Sequence, residues 1–179
     1  MGNGADIGIR KKLVEAGLKE LLEHGSRDFS LRRVALMAEV SCAAPYRHFK
    51  DKDELVRAVI SEIRENWLLI SSEIAKIFPI GSIENITELL RASVRFWVAG
   101  DNFAPFLSVG EIAGFDAPII SSVEVYATAR GLDENEKKRI TSSLLALEYG
   151  TVTLILSGRS SAENGVANMC EMAEGILAK

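Results

Sequence analysis

Four prolines, two cysteines and two histidines are all that 179 residues hold of those types, and each shortage removes a class of protein. Cys42 and Cys170 lie far apart and form no CxxC pair. Neither a metal quartet nor a disulfide framework can be built from them, and two neutral thiols in a reducing compartment are expected. His24 and His48 sit in no serine–histidine–acid arrangement. No nucleotide-binding glycine loop, metal-ligand spacing or paired catalytic groups can be read, so no enzyme, metal site or cofactor is expected. No run approaches the roughly 18 apolar residues of a membrane span. The first residues carry no basic segment followed by an apolar one, so no secretory signal is expected and the cytoplasm is the expected location. Period-two alternation never lasts, which argues against strands.

What is present is helical and apolar. Hydrophobic residues make up 47% of the chain, enough for a packed core rather than disorder. The net charge of −4 disfavours nucleic acid until its distribution is read. Residues 1–52 hold ten Lys or Arg and seven acids, a net +3, so the rest of the chain carries −7. A positive head on an acidic body can meet phosphates without the whole surface binding them.

Apolar spacing and caps predict eight or nine helices. The first runs over about 6–23 and ends at Gly25. Ser30 caps a short second helix over 31–38, and Ser41 caps a third over 42–49. Asp51 with Glu54 makes a capping box for a long fourth helix, whose stripe runs from Leu55 to Ile77 until Pro79 and Gly81 break it. A fifth begins at Ser82. Irregular aromatic sequence fills 100–118. Helices over about 119–130, 134–156 and 162–178 follow; Gly131 ends the first of these and Asp133 caps the second.

The informative segment is 30–55. It holds two short capped helices joined by a tight turn, with small apolar Val34, Ala35, Ala38 and Val40 allowing the steep crossing of a helix-turn-helix. The second short helix opens on small Cys42, Ala43 and Ala44, which let a backbone sink into a major groove. Tyr46, Arg47 and His48 follow, placed to reach base edges and phosphates. Lys50 and Lys52 come just past the helix, where phosphates would flank the groove.

These residues resemble the DNA-binding domain of the TetR/AcrR family. Ser30 matches its N-cap, Val34-Ala35 its apolar pair, and residues 38–41 its turn. Tyr46-Arg47-His48-Phe49 matches its helix end, and Lys52-Asp53-Glu54-Leu55 the start of its fourth helix. The match covers about 8–56. The resemblance implies that Arg32, Ser41, Cys42, Ala43, Ala44, Arg47 and His48 face DNA, that Tyr46 touches a phosphate and Lys52 pairs with one, and that Phe49 is core. Ser30 and Arg33 complete the DNA-binding candidates, Arg33 as the weakest. The family usually has Gly where this chain has Glu39, and a left-handed backbone there costs a side chain about 1 kcal/mol. Pro45 falls near the first turn of its helix, where it is tolerated.

The expected architecture is therefore all-α. A helix-turn-helix DNA-binding domain spans 1–55, and a ligand-binding and dimerisation bundle spans 56–179. Trp67, Phe96, Trp97, Phe103, Phe106, Phe115, Tyr126 and Tyr149 read singly as core. As a set beside irregular backbone they suggest an apolar pocket, with Arg91, Arg95, Glu111 and Glu148 as candidates for its polar contacts. The next-to-last helix is apolar nearly all round and must be covered, so the last two helices are the expected homodimer interface. The resemblance implies the same, and a dimer would set two recognition helices one DNA turn apart. The expected function is a repressor released from a palindromic double-stranded operator by a small, largely apolar effector. The competing expectation, favoured by Glu39, is a ligand-binding or scaffold protein whose helix-turn-helix no longer reads DNA.

Overall fold

The computed structural model describes residues 3–25, 28–99 and 113–178. Among them are eight α-helices and one 3-10 turn, with no strand. The chain divides into two compact units, Met1–Glu65 and Asn66–Lys179.

The first unit holds α1 (Asn3–His24), α2 (Leu31–Met37), α3 (Ala44–His48) and the beginning of α4 (Lys52–Ile77). Leu13, Leu21, Val34, Ala35, Phe49, Leu55 and Val59 are buried in it. Each large apolar side chain among them contributes about 1.5–3 kcal/mol. Ser30 caps α2 through its hydroxyl, as its residue type and position require. Gly25 has φ 71° and its N–H donates to the Leu21 carbonyl, which closes α1. At α4, Asp51 accepts from the Glu54 N–H at 2.8 Å, and the Glu54 carboxylate accepts from the Lys50 N–H at 2.6 Å.

The third helix departs from expectation. It starts at Ala44, not Cys42, and Ser41 is not its side-chain cap: the N-cap position is Ala43, with no side-chain bond. Cys42 and Ala43 form a turn closed by the Ala44 N–H on the Ser41 carbonyl at 2.8 Å. The physical reason is Pro45. It lacks an N–H, fits best within the first turn, and so sets the helix start close before itself.

The second unit holds the rest of α4, then α5 (Ile83–Ala99), the 3-10 turn Ala113–Phe115, α6 (Ala117–Arg130), α7 (Glu134–Leu156) and α8 (Ala162–Leu177). α5, α7 and α8 pack on one another, and α6 packs on α5 and α7. Ile86, Leu90, Val94, Ile119, Val123, Leu144 and Met169 are buried between them. Asp133 and Glu136 form a full capping box for α7, and Gly131, at φ 65°, ends α6. Among the described residues no helix is long and apolar enough to cross a membrane.

Candidate functional site

In the first unit, α3 packs on α1 and α2 and divides its residues between two sides. Ser41, Cys42, Ala43, Tyr46, Arg47 and Lys50 are exposed, as is Arg32 on α2. Tyr46 is 66% exposed, far more than a tyrosine with a packing role shows. Ser30 and Lys52 are half-buried. One side of α3 is therefore small at its leading end and cationic behind.

Three expected DNA-facing residues lie differently. Ala44 is buried, at 7% exposure, because the helix begins there and turns its first residues, Ala44 and Pro45, toward the unit's interior. Arg33 is half-buried and already engaged: its Nε donates to Glu20 at 2.8 and 3.1 Å, and its Nη2 lies 2.6 Å from Glu20 and 3.2 Å from the Asp28 carboxylate. His48 has a side chain only 9% exposed, with Nε2 at 3.4 Å from Asp6.

Glu20 was not recognisable as a site residue from motif alone. It is fully buried, and it accepts from the Ser30 N–H at 2.8 Å as well as from Arg33. Its carboxylate thus ties α1 to the start of α2. A signal existed: Leu13, Ala16, Glu20 and Leu21 fall on one helical face, so an acid stood in the middle of a core stripe.

The turn before α3 adopts the strained form. Glu39 has φ 55°, the one left-handed non-glycine among the described residues. Its N–H donates to the Leu36 carbonyl at 3.1 Å, and the Val40 N–H donates to the Ala35 carbonyl at 3.0 Å. That pair of bonds is the Schellman closure, which favours glycine at this position. Glu39→Gly is expected to stabilise the protein by about 0.5–1 kcal/mol, the left-handed strain relieved minus the added freedom of the unfolded chain. A thermal melt would rise by roughly 2 °C; a fall would show that the Glu39 side chain holds the turn.

In the second unit an aromatic group assembles. Trp97 and Phe115 meet edge-on at 4.9 Å, Trp67 and Phe96 lie 5.7 Å apart, and Phe96 is 5.6 Å from Trp97. The Trp67 indole Nε1 donates to the Phe115 carbonyl at 2.8 Å, so this tryptophan fills space and anchors the 3-10 turn together. Tyr149 joins the group through Asp116, its hydroxyl donating to the carboxylate at 2.6 Å. Tyr126 is not one of these rings. Its hydroxyl donates to the Leu177 carbonyl, Arg130 lies over its face, and it lines a cleft of about 460 Å³ with Ile83, Glu136 and Ile140. Phe103, Phe106 and Glu111 lie outside the described residues. Arg91 donates to Glu88 at 2.9 Å, and Arg95 is exposed.

Glu148 is the unusual member. It is 1% exposed. The Ser93 hydroxyl donates to its Oε1, and its Oε2 has no hydrogen-bond partner among the described residues. Burial pushes its carboxyl from an ordinary 4.5 up to about 7; the Ser93 bond opposes that shift and the nearby Asp116 carboxylate adds to it. A carboxyl with a raised folded-state pKa binds its proton more tightly folded than unfolded. Its contribution is therefore full below about pH 4.5 and is lost as the pH rises toward about 7. Stability is expected to fall by a few kcal/mol across that window, and Glu148→Gln should flatten the fall in denaturant midpoints measured from pH 5 to 8. An equally steep fall in the variant would assign the slope to other groups.

Residues 13–59 match the family model described as bacterial regulatory proteins, tetR family. No curated protein sequence matches the chain. Solved structures match almost all of it. A transcriptional regulator from Pseudomonas aeruginosa is 20% identical with TM-score 0.71, covering 94% of this chain and 90% of that one. The transcriptional regulator FadR from Bacillus subtilis, solved with stearoyl-CoA, is 11% identical with TM-score 0.67, covering 94% and 95%. The multidrug binding protein EbrR, solved with ethidium, is 18% identical with TM-score 0.64, covering 94% and 97%. At such identities the likeness is one of fold.

Proposed function

We propose that the chain is a TetR-type transcription regulator, a repressor whose body releases it from DNA on binding a small molecule; the match of residues 13–59 to the tetR family model and the likeness of fold to a solved transcriptional regulator over 94% of the chain support this. The observation that carries this is the exposed side of α3, with Ser41, Cys42 and Ala43 leading and Tyr46 and Arg47 behind. A helix of that profile enters a major groove with its N-terminal end toward the bases. Arg47 and Arg32 take bases or phosphates, Tyr46 and Lys50 take phosphates, and Lys52 pairs with a phosphate at the start of α4. Ser30, on the α2 cap, offers its hydroxyl to the same backbone. Ala44 and His48 are left out because they are turned to the interior of the unit, and Arg33 because it is paired with Glu20 and Asp28.

The protein acts as a homodimer through α7 and α8. Leu154, Leu156 and Met172 are exposed on these helices, and a second copy would cover them. A twofold pair presents two α3 helices to successive turns of a palindromic site. The body holds the effector beside the rings of Trp67, Phe96, Trp97, Phe115 and Tyr149. That related folds are solved with stearoyl-CoA and with ethidium supports an apolar or aromatic effector. The protein is a cytoplasmic regulator and not an enzyme.

The reading of the chain as a scaffold with an idle head rested on Glu39. The closed turn bonds at Glu39 and Val40 support an intact helix-turn-helix instead. A titration of the gene's own upstream duplex in rising salt tests the proposal. Nanomolar binding that weakens steeply between 50 and 200 mM salt, by about 10³-fold or more, is expected of six or more phosphate contacts. Absent or salt-indifferent binding would favour the scaffold.

A further inference from the structure

Resting on the reading of the second unit as an effector-binding body, we propose that the effector is an organic cation, held by the Glu148 carboxylate against the aromatic group of Trp67, Phe96, Trp97 and Phe115.

The argument starts from an oxygen. Glu148 Oε2 is buried and has no hydrogen-bond partner among the described residues, whereas buried polar groups are satisfied almost everywhere in folded proteins. Leaving a carboxylate oxygen in that state costs more than leaving a neutral group. Among the described residues nothing offsets it. Burial, the Ser93 hydroxyl and the Asp116 carboxylate act on its charge, and no cationic side chain is among them. Of the two arginines that flank Ser93 on α5, Arg91 is engaged with Glu88 and Arg95 is exposed.

The surroundings have the matching chemistry. Ser93, which holds Oε1, stands one helical turn before Phe96 and Trp97 on α5, so the acid and the two rings share one face. Phe96 contacts Trp67 and Trp97, and Trp97 contacts Phe115. Phe115 precedes Asp116, whose carboxylate is also buried and is held by Tyr149. Two buried acids and four aromatic rings thus occupy one connected region. Ring faces attract a desolvated cation, and the free carboxylate oxygen supplies a hydrogen bond or an ion pair. An anion would instead add a third negative charge to the region. A cation also explains why an acid is retained there: its arrival ionises Glu148 and removes the penalty.

The test uses two ions of nearly the same shape and opposite charge, tetraphenylphosphonium and tetraphenylborate, titrated calorimetrically into the full protein without DNA. The phosphonium ion is expected to bind at least tenfold more tightly than the borate, and more tightly at pH 8 than at pH 6. Glu148→Gln should remove the charge preference, with an unchanged circular dichroism spectrum and unchanged binding to upstream DNA. Ser93→Ala, which keeps the carboxylate, should keep the preference. Equal binding of the two ions, tighter binding of the borate, binding of neither, or a preference that survives Glu148→Gln would overturn the proposal. Because the titration contains no DNA, such a failure leaves the DNA-binding reading standing. Loss of DNA binding, in turn, leaves the cation result intact.

Discussion

Replacing Arg32 and Arg47 together by alanine is expected to abolish operator binding at physiological salt, a loss of at least 100-fold in affinity, with the fold untouched. Both side chains are exposed and no ion pair among the described residues of the head involves them, so the substitutions remove charge and little else; exposed changes of this kind shift stability by about 0.5 kcal/mol or less. Each arginine in contact with a base or phosphate contributes about 1–3 kcal/mol, and a dimer loses four. The salt dependence changes too. Each phosphate contact removed should flatten the slope of log affinity against log salt by about 0.9. Fluorescence anisotropy with a labelled upstream duplex measures both. Arg33→Ala makes the contrasting control. Its guanidinium is spent on buried Glu20, so the variant should lose thermal stability first. If Arg33→Ala lost DNA affinity at unchanged stability while the double variant bound normally, the assignment of the two faces would be reversed.

The second large effect is structural. Gly81→Ala is expected to cost about 3 kcal/mol, lowering the melting temperature by roughly 10 °C. Gly81 sits between α4 and α5 at φ 84°, a conformation that costs a side chain about 1–2 kcal/mol. A Cβ there would fall 2.5 Å from Val125 Cγ1 and 3.0 Å from the backbone nitrogen of Tyr126. The valine can shift, but the backbone of α6 cannot do so cheaply, and overpacking of this kind costs about 1–3 kcal/mol. The turn is also bonded on both sides. The Gly81 N–H donates to the Ser122 hydroxyl at 3.0 Å, that hydroxyl donates to Asn85 Oδ1 at 2.6 Å, and Asn85 Nδ2 donates to the Phe78 carbonyl at 3.1 Å. Displacing the turn breaks a buried network rather than a single contact. An unchanged melting temperature would mean that α4 and α5 join differently.

Much of this was legible because it is local. Caps at Ser30 and Asp133 and the terminators Gly25 and Gly131 act within a few residues, so these helix ends follow from residue type. The start of α3 is harder to read because two local signals compete: Ser41 offers a cap, Pro45 restricts where the helix can begin, and the proline wins. The exposed side of α3 could be outlined from spacing. That Ala44 turns inward depends on the helix start, and that Arg33 is already engaged depends on Glu20, thirteen residues away on another helix. Ser93 and Glu148 are 55 residues apart, and no periodicity on α5 or α7 alone pairs them. The cap of α2 is a property of a segment, whereas the buried acid with a free oxygen is a property of the packed bundle.

A hydroxyl-radical footprint of the upstream duplex, with and without the full protein, tests the central claim most directly. The account predicts two protected patches on one side of the duplex, related by a twofold axis and about 10 base pairs apart centre to centre, both vanishing for the Arg32→Ala, Arg47→Ala variant. A single continuous block of protection indifferent to those substitutions, or no protection at a protein concentration that saturates the anisotropy signal, would contradict it.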